Sequence, residues 1–318
     1  MNSGNTSTAD REGRAKAACK EVLGGEPQTF ESALAVLASP AWRGVEGDVW
    51  PAATSGASVI VKNYHPDTKA YVNIESAIEA ATIAGNTGVG PKVLFSEVDG
   101  GILVLEDLAE PWSAGGLHHA VDRAIRSNVI AAKKSFQDGP VLSKSASIFE
   151  EIDAMYNHVE AEGIRTHRDV TIFKRFLDDA RARIASLGQD SRPCHRDGNT
   201  ANLMVHPDKR VKLIDFDLAA NCDPFEDIGC YLVEFFENDI DARTGFEEWL
   251  GYFHEGQFQR AMLYGLADDM RWGLIGSIMA ATSPRSHLEF GKYASWRFLR
   301  LEMHAKRSEA NDRIRAAA

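Results

Sequence analysis

His195-Arg196-Asp197-Gly198-Asn199-Thr200-Ala201-Asn202 runs into Leu203-Met204-Val205, then a turn, then Val211-Lys212-Leu213-Ile214-Asp215-Phe216-Asp217. The pattern is a loop, a strand, a tight turn and a second strand. Pro207 and Asp208 in His206-Pro207-Asp208-Lys209 are residues that a type I turn favours. The apolar runs on either side suit two short, buried strands. Buried strands do not begin and end on carboxylates without a reason. Such a hairpin brings Asp197, Asn202 and Asp215 to one end. Two acids and an amide placed together suit a hard divalent cation and the proton of an alcohol.

The composition frames this site. The chain has 318 residues, enough for two lobes around a cleft, with 44% apolar and 25% charged residues. A net charge of −11 and no basic tract exclude nucleic acid as a partner. The acidity is compatible with a cationic small molecule. Cys19, Cys194, Cys222 and Cys230 show no C-x-x-C spacing and no zinc pattern. Reduced thiols in a cytoplasmic enzyme are expected. The polar N-terminus lacks a signal peptide's apolar core, and no run is long enough to span a membrane.

The spacing H-x-D-x-x-x-x-N, the hairpin and I-D-F-D together resemble the catalytic core of the protein-kinase-like fold. Asp215-Phe216-Asp217 lacks the glycine of D-F-G, and no A-P-E follows. Asp223-Pro224-Phe225-Glu226-Asp227-Ile228 follows instead. That pattern is similar to the small-molecule branch, the aminoglycoside phosphotransferases and choline kinases. The resemblance implies an α+β, bilobal protein-kinase-like fold with a small antiparallel-sheet N-lobe and a mainly helical C-lobe. Expected boundaries are a polar tail over 1–18, a nucleotide-binding N-lobe over 19–108, and a catalytic and substrate-binding C-lobe over 109–318.

Upstream, Phe30, Ala33, Leu34 and Leu37 recur at helical spacing, stopped by Pro40. Two strands should then follow a glycine-containing turn, the second ending Val59-Ile60-Val61-Lys62. By resemblance Lys62 holds the nucleotide's phosphates, and Gly44 and Gly47 let the backbone approach them. Ile74, Ala77, Ile78, Ala81 and Ala84 predict a helix over 70–87. Kinase-like proteins place on that helix a glutamate that holds the lysine. Glu75 and Glu79 share one face, and Glu79 is preferred. Gly88-Val89-Gly90-Pro91-Lys92 resembles the same position in choline kinases. The strand Ile102–Glu106, continuing to Asp107 and Leu108, resembles the hinge where backbone groups bind adenine.

Three apolar stripes, ending at Ala132, Val159 and Leu187, predict helices of a C-lobe core. Ile228, Leu232, Phe235 and Phe236 predict another, and a last pair should span 255–281 and 288–306. Arg271-Trp272-Gly273 and Phe290-Gly291-Lys292-Tyr293 are similar to bacterial choline-kinase-like proteins. Trp272 is the candidate wall for an ammonium group. The alternative is a Trp packed between helices.

The resemblance implies these roles. Asp197 orients the acceptor hydroxyl and takes its proton. Asn202 and Asp215 bind Mg2+. Lys62, with Glu79, Gly47, Glu106 and Leu108, serves ATP. Asp217 contacts substrate or metal, or pairs with Arg196, which stands where aminoglycoside phosphotransferases usually have glycine. His195 braces the backbone near Asp215, and Asp227 accepts backbone bonds from the loop. The expected activity is an ATP- and Mg2+-dependent transfer to a hydroxylated small molecule. An amino alcohol ranks ahead of an aminoglycoside, for which Asp239, Asp241, Glu247 and Glu248 would supply an acidic groove. A nucleotide-binding pseudokinase has no physical need for all three of Asp197, Asn202 and Asp215. A phosphohydrolase using His195 and His206 leaves Lys62 unexplained.

Overall fold

The computed structural model describes residues 8–38, 41–305 and 310–318. The N-lobe comprises α1 (Thr8–Leu23), β1 (Thr29–Phe30), β2 (Val36–Ala38), β3 (Ala41–Arg43), β4 (Gly47–Ala53), β5 (Ser58–Tyr64), α2 (Ile74–Asn86), β6 (Val93–Glu97) and β7 (Ile102–Glu106). Five strands form an antiparallel sheet in the order β1-β4-β5-β7-β6. Val59 and Val61 of β5 point to one face with Trp50, Ala52 and Val104, so that sheet face is apolar.

That face is covered by α1, so the described part of the expected tail, residues 8–18, is a packed helix. Ala15, Ala18 and Cys19 recur at helical spacing and pack with Trp50, Val61 and Val104. Arg11 is buried and donates to Asp48 Oδ2 (2.7 Å), Asn63 O (2.7 Å) and Tyr64 O (2.8 Å). Small residues make the contact, so the segment reads as polar.

Residues 30–37 also differ from expectation. Phe30 lies in β1 and stacks on Trp50 with centroids 5.7 Å apart, and the Ala33 N–H donates to Val49 O at 2.7 Å. Sheet-edge bonds overrode the helical spacing, and Leu34 is left exposed. Pro40, the expected stop, lies outside the described residues.

The C-lobe begins with β8 (Ser113–Ala114) and the helices α3 (Leu117–Ala120), α4 (Arg123–Gln137), α5 (Ile148–Glu162) and α6 (Val170–Ser186). The site hairpin, β10 (Leu203–Val205) and β11 (Val211–Leu213), lies between β9 (Arg192–Cys194) and β12 (Ala220–Cys222). It closes as expected, with the Lys209 N–H donating to His206 O at 2.7 Å. Next come α7 (Pro224–Phe235), α8 (Asp239–Leu250), α9 (Glu255–Thr282), α10 (Phe290–Ala305) and α11 (Ala310–Ala316). The bilobal α+β architecture is as expected.

The axis of the C-lobe is α9, on which α5, α7 and α10 all pack. It is buried on every side from Phe258 to Met279. A helix enclosed that way must pair each charge it carries. Asp268 accordingly meets Arg271 and Arg297, each at 2.6 Å, and Asp269 meets Arg300 at 2.6 Å. No described helix is long and apolar enough to cross a membrane.

Candidate active site

The loop between β9 and β10 is held from beneath by Asp227 on the first turn of α7. Its buried carboxylate accepts the backbone N–H groups of His195 (3.2 Å) and Arg196 (2.9 Å), Gln137 Nε2 (3.1 Å) and Lys133 Nζ (3.0 Å). Burial pushes this carboxyl up, but Lys133 and the donated bonds outweigh it and hold it below the usual range. Lys133 also donates to the Asp197 carbonyl at 2.8 Å. His195 Nε2 lies 3.1 Å from Ile214 O, which ties the loop to the strand before Asp215. Burial and Lys133 lower the His195 pKa to about 4, so the ring is neutral near pH 7.

Arg196 has φ 63°, a conformation that favours glycine. Its guanidinium shows what holds an arginine there. Nε donates to Glu226 at 2.7 Å, Nη2 and Nη1 to Glu151 at 2.7 and 3.0 Å, and Nη1 to Leu218 O at 3.0 Å. The pairing with Asp217 considered from sequence is therefore not made. Burial pushes the Glu151 carboxyl up, but Arg196 and Arg271 hold it down at about 2, against an ordinary 4.5. A depressed pKa contributes stability above pH 4.5 that is lost as pH falls towards 2. Glu151→Gln should cost about 3 kcal/mol at pH 7 and flatten the acid limb of stability between those values, as read by urea unfolding across pH. An unchanged acid limb would show that the pair contributes nothing.

Asp197 Oδ1 accepts the Asn199 N–H at 2.6 Å, and Oδ2 accepts Asn202 Nδ2 at 2.9 Å. Burial pushes this carboxyl up to about 6, with the Asn199 bond opposing and the charges of Asp268 and Asp215 adding. Gly198 follows, and here the chain permits only glycine. A Cβ would lie 2.0 Å from the Cys230 carbonyl oxygen of α7.

Asp215 has φ 67° and turns its carboxylate towards β5. Lys62 Nζ donates to Asp215 Oδ1 and to Asp217 Oδ2, each at 2.7 Å. Asp217 Oδ1 accepts the Tyr64 hydroxyl at 2.6 Å. The preferred partner Glu79 is not among these groups. It accepts the Ser143 N–H at 3.0 Å, in the connection between α4 and α5. The register of α2 points it there, and the carboxylates on Lys62 come from the C-lobe instead. Gly47 begins β4, where a Cβ would meet Asn63 O at 2.7 Å and Lys62 Cγ at 3.1 Å. Glu106 Oε2 accepts the Lys92 N–H at 3.1 Å, and Leu108 is half-buried in the connection between lobes.

Glu46, in the glycine turn, was not singled out from sequence; that turn drew attention for its glycines alone. Its carboxylate is buried and accepts the Trp42 indole N–H. Glu46, Asp215 and Asp217 each offer an oxygen within 4.8 Å of the others. Burial and Asp215 push Glu46 up to about 8 and Asp217 up to about 7, because like charges crowd one another. Crowded carboxylate oxygens of this kind suit a hard divalent cation.

Asp197, Asn202, Asp215, Asp217 and Trp272 line one cavity. Four aromatic rings, Trp42, Tyr71, Trp272 and Tyr293, also line it. Trp42 of β3 lies 5.1 Å from Trp272 and 4.7 Å from Tyr293, and Tyr71 lies 6.4 Å from Trp272. Trp272 therefore packs among rings and also faces the cavity. Asp239, Asp241, Glu247 and Glu248 do not line it; Glu248 pairs with Arg126 at 2.8 Å. His206 stays in the hairpin turn, its Nδ1 2.7 Å from Asp208.

Comparison with known proteins adds to this geometry. The model of the phosphotransferase enzyme family matches residues 38–263 of the 318. A choline/ethanolamine kinase family protein from Mesorhizobium loti is similar in structure, with TM-score 0.79 and 20% identity over 96% of this chain and 97% of that one. Choline kinase LicA from Streptococcus pneumoniae gives TM-score 0.72 and 18% identity over 96% and 99%. Spectinomycin phosphotransferase, solved with ADP and spectinomycin, gives 0.59 and 14% over 92% and 98%. A search of curated protein sequences gives no match. Both the fold and the family model lead to one conclusion: this chain belongs to the phosphotransferase enzyme family, as a small-molecule phosphotransferase.

Proposed function

We propose that the chain transfers the γ-phosphate of ATP, bound with Mg2+, to the hydroxyl of an amino alcohol of the choline or ethanolamine kind. The observation that carries this reading is the shared cavity, lined by both Asp197 and four aromatic rings. An aromatic face attracts a quaternary or primary ammonium, and a carboxylate orients the hydroxyl two carbons away.

Asp197 accepts the hydroxyl proton as the acceptor oxygen bonds to the γ-phosphorus. The bond from that phosphorus to the β–γ bridging oxygen breaks, and ADP leaves. A carboxyl half-protonated near pH 6 suits this task at neutral pH. Asn202 and Asp215 would hold Mg2+, and the bound ion would neutralise charge on the phosphates. Lys62 exchanges its carboxylate partners for the α- and β-phosphates. Gly47 admits them close to the backbone, and the Glu106–Leu108 connection takes adenine through its backbone. Asp217 belongs with the cation rather than the acceptor, since Lys62 and Tyr64 hold it.

An aminoglycoside acceptor is less well served, because the α8 acids lie elsewhere. The test is ADP release with choline, ethanolamine and spectinomycin as acceptors. Trp272→Ala should raise the KM of the amino alcohol about tenfold, the loss of one desolvated cation–π contact, and leave the KM for ATP unchanged. Preference for spectinomycin, or an unaffected amino-alcohol KM, would refute the assignment.

A further inference from the structure

Glu46 is the one acid at this site supplied by the glycine turn of the N-lobe, and it is 2% exposed. Its Oε1 is occupied by the Trp42 indole N–H, with the Tyr71 hydroxyl 3.4 Å away. Its Oε2 is buried and has no hydrogen-bond partner among the described residues. An orphaned carboxylate oxygen is costly inside a protein and persists where something else satisfies it.

The groups around it restrict what that is. Asp215 and Asp217 stand beside Glu46, and one ammonium, Lys62, serves both aspartates at 2.7 Å. Three carboxylates thus share a single cation. Oxygens on opposite sides of Mg2+ stand about 4.2 Å apart. Adjacent ones stand about 3 Å apart, and the trio lies within 4.8 Å of one another, so the three oxygens can converge on one ion. A neutral donor would satisfy Oε2 alone, whereas a dication binds Oε2 together with an oxygen from each aspartate.

We infer that Glu46 is a direct ligand of the divalent cation, completing with Asp215 and Asp217 a three-carboxylate site that joins the glycine turn to the C-lobe. The inference rests on the nucleotide–metal reading above. It adds a ligand from the other lobe. It also ties the cation to Trp42, which walls the acceptor cavity, through the second oxygen of the same carboxylate.

The experiment is Mn2+ binding to the full chain in the presence of ADP, with free Mn2+ followed by electron paramagnetic resonance. ADP permits no turnover, so the readout is binding. Glu46→Gln keeps an oxygen for Trp42 and removes the charge. It should weaken Mn2+ at least tenfold while leaving the melting temperature of the metal-free protein unchanged or higher, since the amide is neutral and keeps the Trp42 bond. Glu46→Asp, which retains the charge but draws the oxygen back by one methylene, should also weaken binding and serves if the amide variant does not fold. Asp215→Asn is the reference. Wild-type affinity in the folded Glu46 variants with loss in Asp215→Asn would overturn the role of Glu46 alone. Wild-type affinity in Asp215→Asn as well would overturn the metal reading beneath it.

Discussion

Asp197→Asn should lower kcat by about 10³-fold, within the range a positioned general base contributes, and leave ATP affinity unchanged. The carboxylate meets only the loop's own Asn199 and Asn202, and among the described residues it has no bond to Lys62 or Asp215. The amide keeps the volume, and its oxygen can still accept one of those two bonds, so the loop should hold its shape. What is lost is the capacity to take a proton from the acceptor. Single-turnover kinetics with calorimetry of ATP binding separates the two effects. A parallel loss of ATP affinity would show that Asp197 acts through the nucleotide rather than the acceptor.

Arg196→Met should destabilise the protein by about 3–5 kcal/mol, the cost of leaving a buried partner charge uncompensated. Arg196 is 0% exposed, and Glu226 is buried against it. Arg271 reaches the same two acids only at 3.3 and 3.4 Å, so it compensates in part. Lysine cannot replace the guanidinium, which engages Glu151 through two nitrogens and Glu226 through a third. Urea unfolding measures the loss, and adding Glu226→Gln should restore part of it, because the acid left unpaired is removed. A destabilisation within 1 kcal/mol, or a double variant no better than the single one, would show that the network carries little energy.

The site hairpin was legible because its information is local. Asp197, Asn202 and Asp215 lie within one loop–strand–turn–strand unit, and the spacing alone brings them together. The long C-lobe helices were legible for a related reason: α10 has one buried face, and α9, buried all round, runs without a proline from Glu255 to Thr282. What stayed hidden depends on contacts far along the chain. Glu79 and Glu46 are both acids on N-lobe elements near Lys62. Only the register of α2 and the path of the glycine turn show which one approaches Asp215. Arg196 looked like an unexplained departure from glycine until Glu151 and Glu226, 45 and 30 residues away, came beside it. The first helix escaped notice because its contact face is made of alanines. Trp42, in a segment read for its glycines, reaches the C-lobe aromatics through the β2–β3 hairpin, a placement no local pattern encodes.

A small-molecule alcohol, rather than water, should receive the phosphoryl group. Phosphorus NMR of the full chain with Mg2+-ATP and choline or ethanolamine tests it most directly. A phosphomonoester signal should grow with ADP and be lost in Asp197→Asn. ADP accompanied only by inorganic phosphate, whatever the acceptor offered, would contradict it.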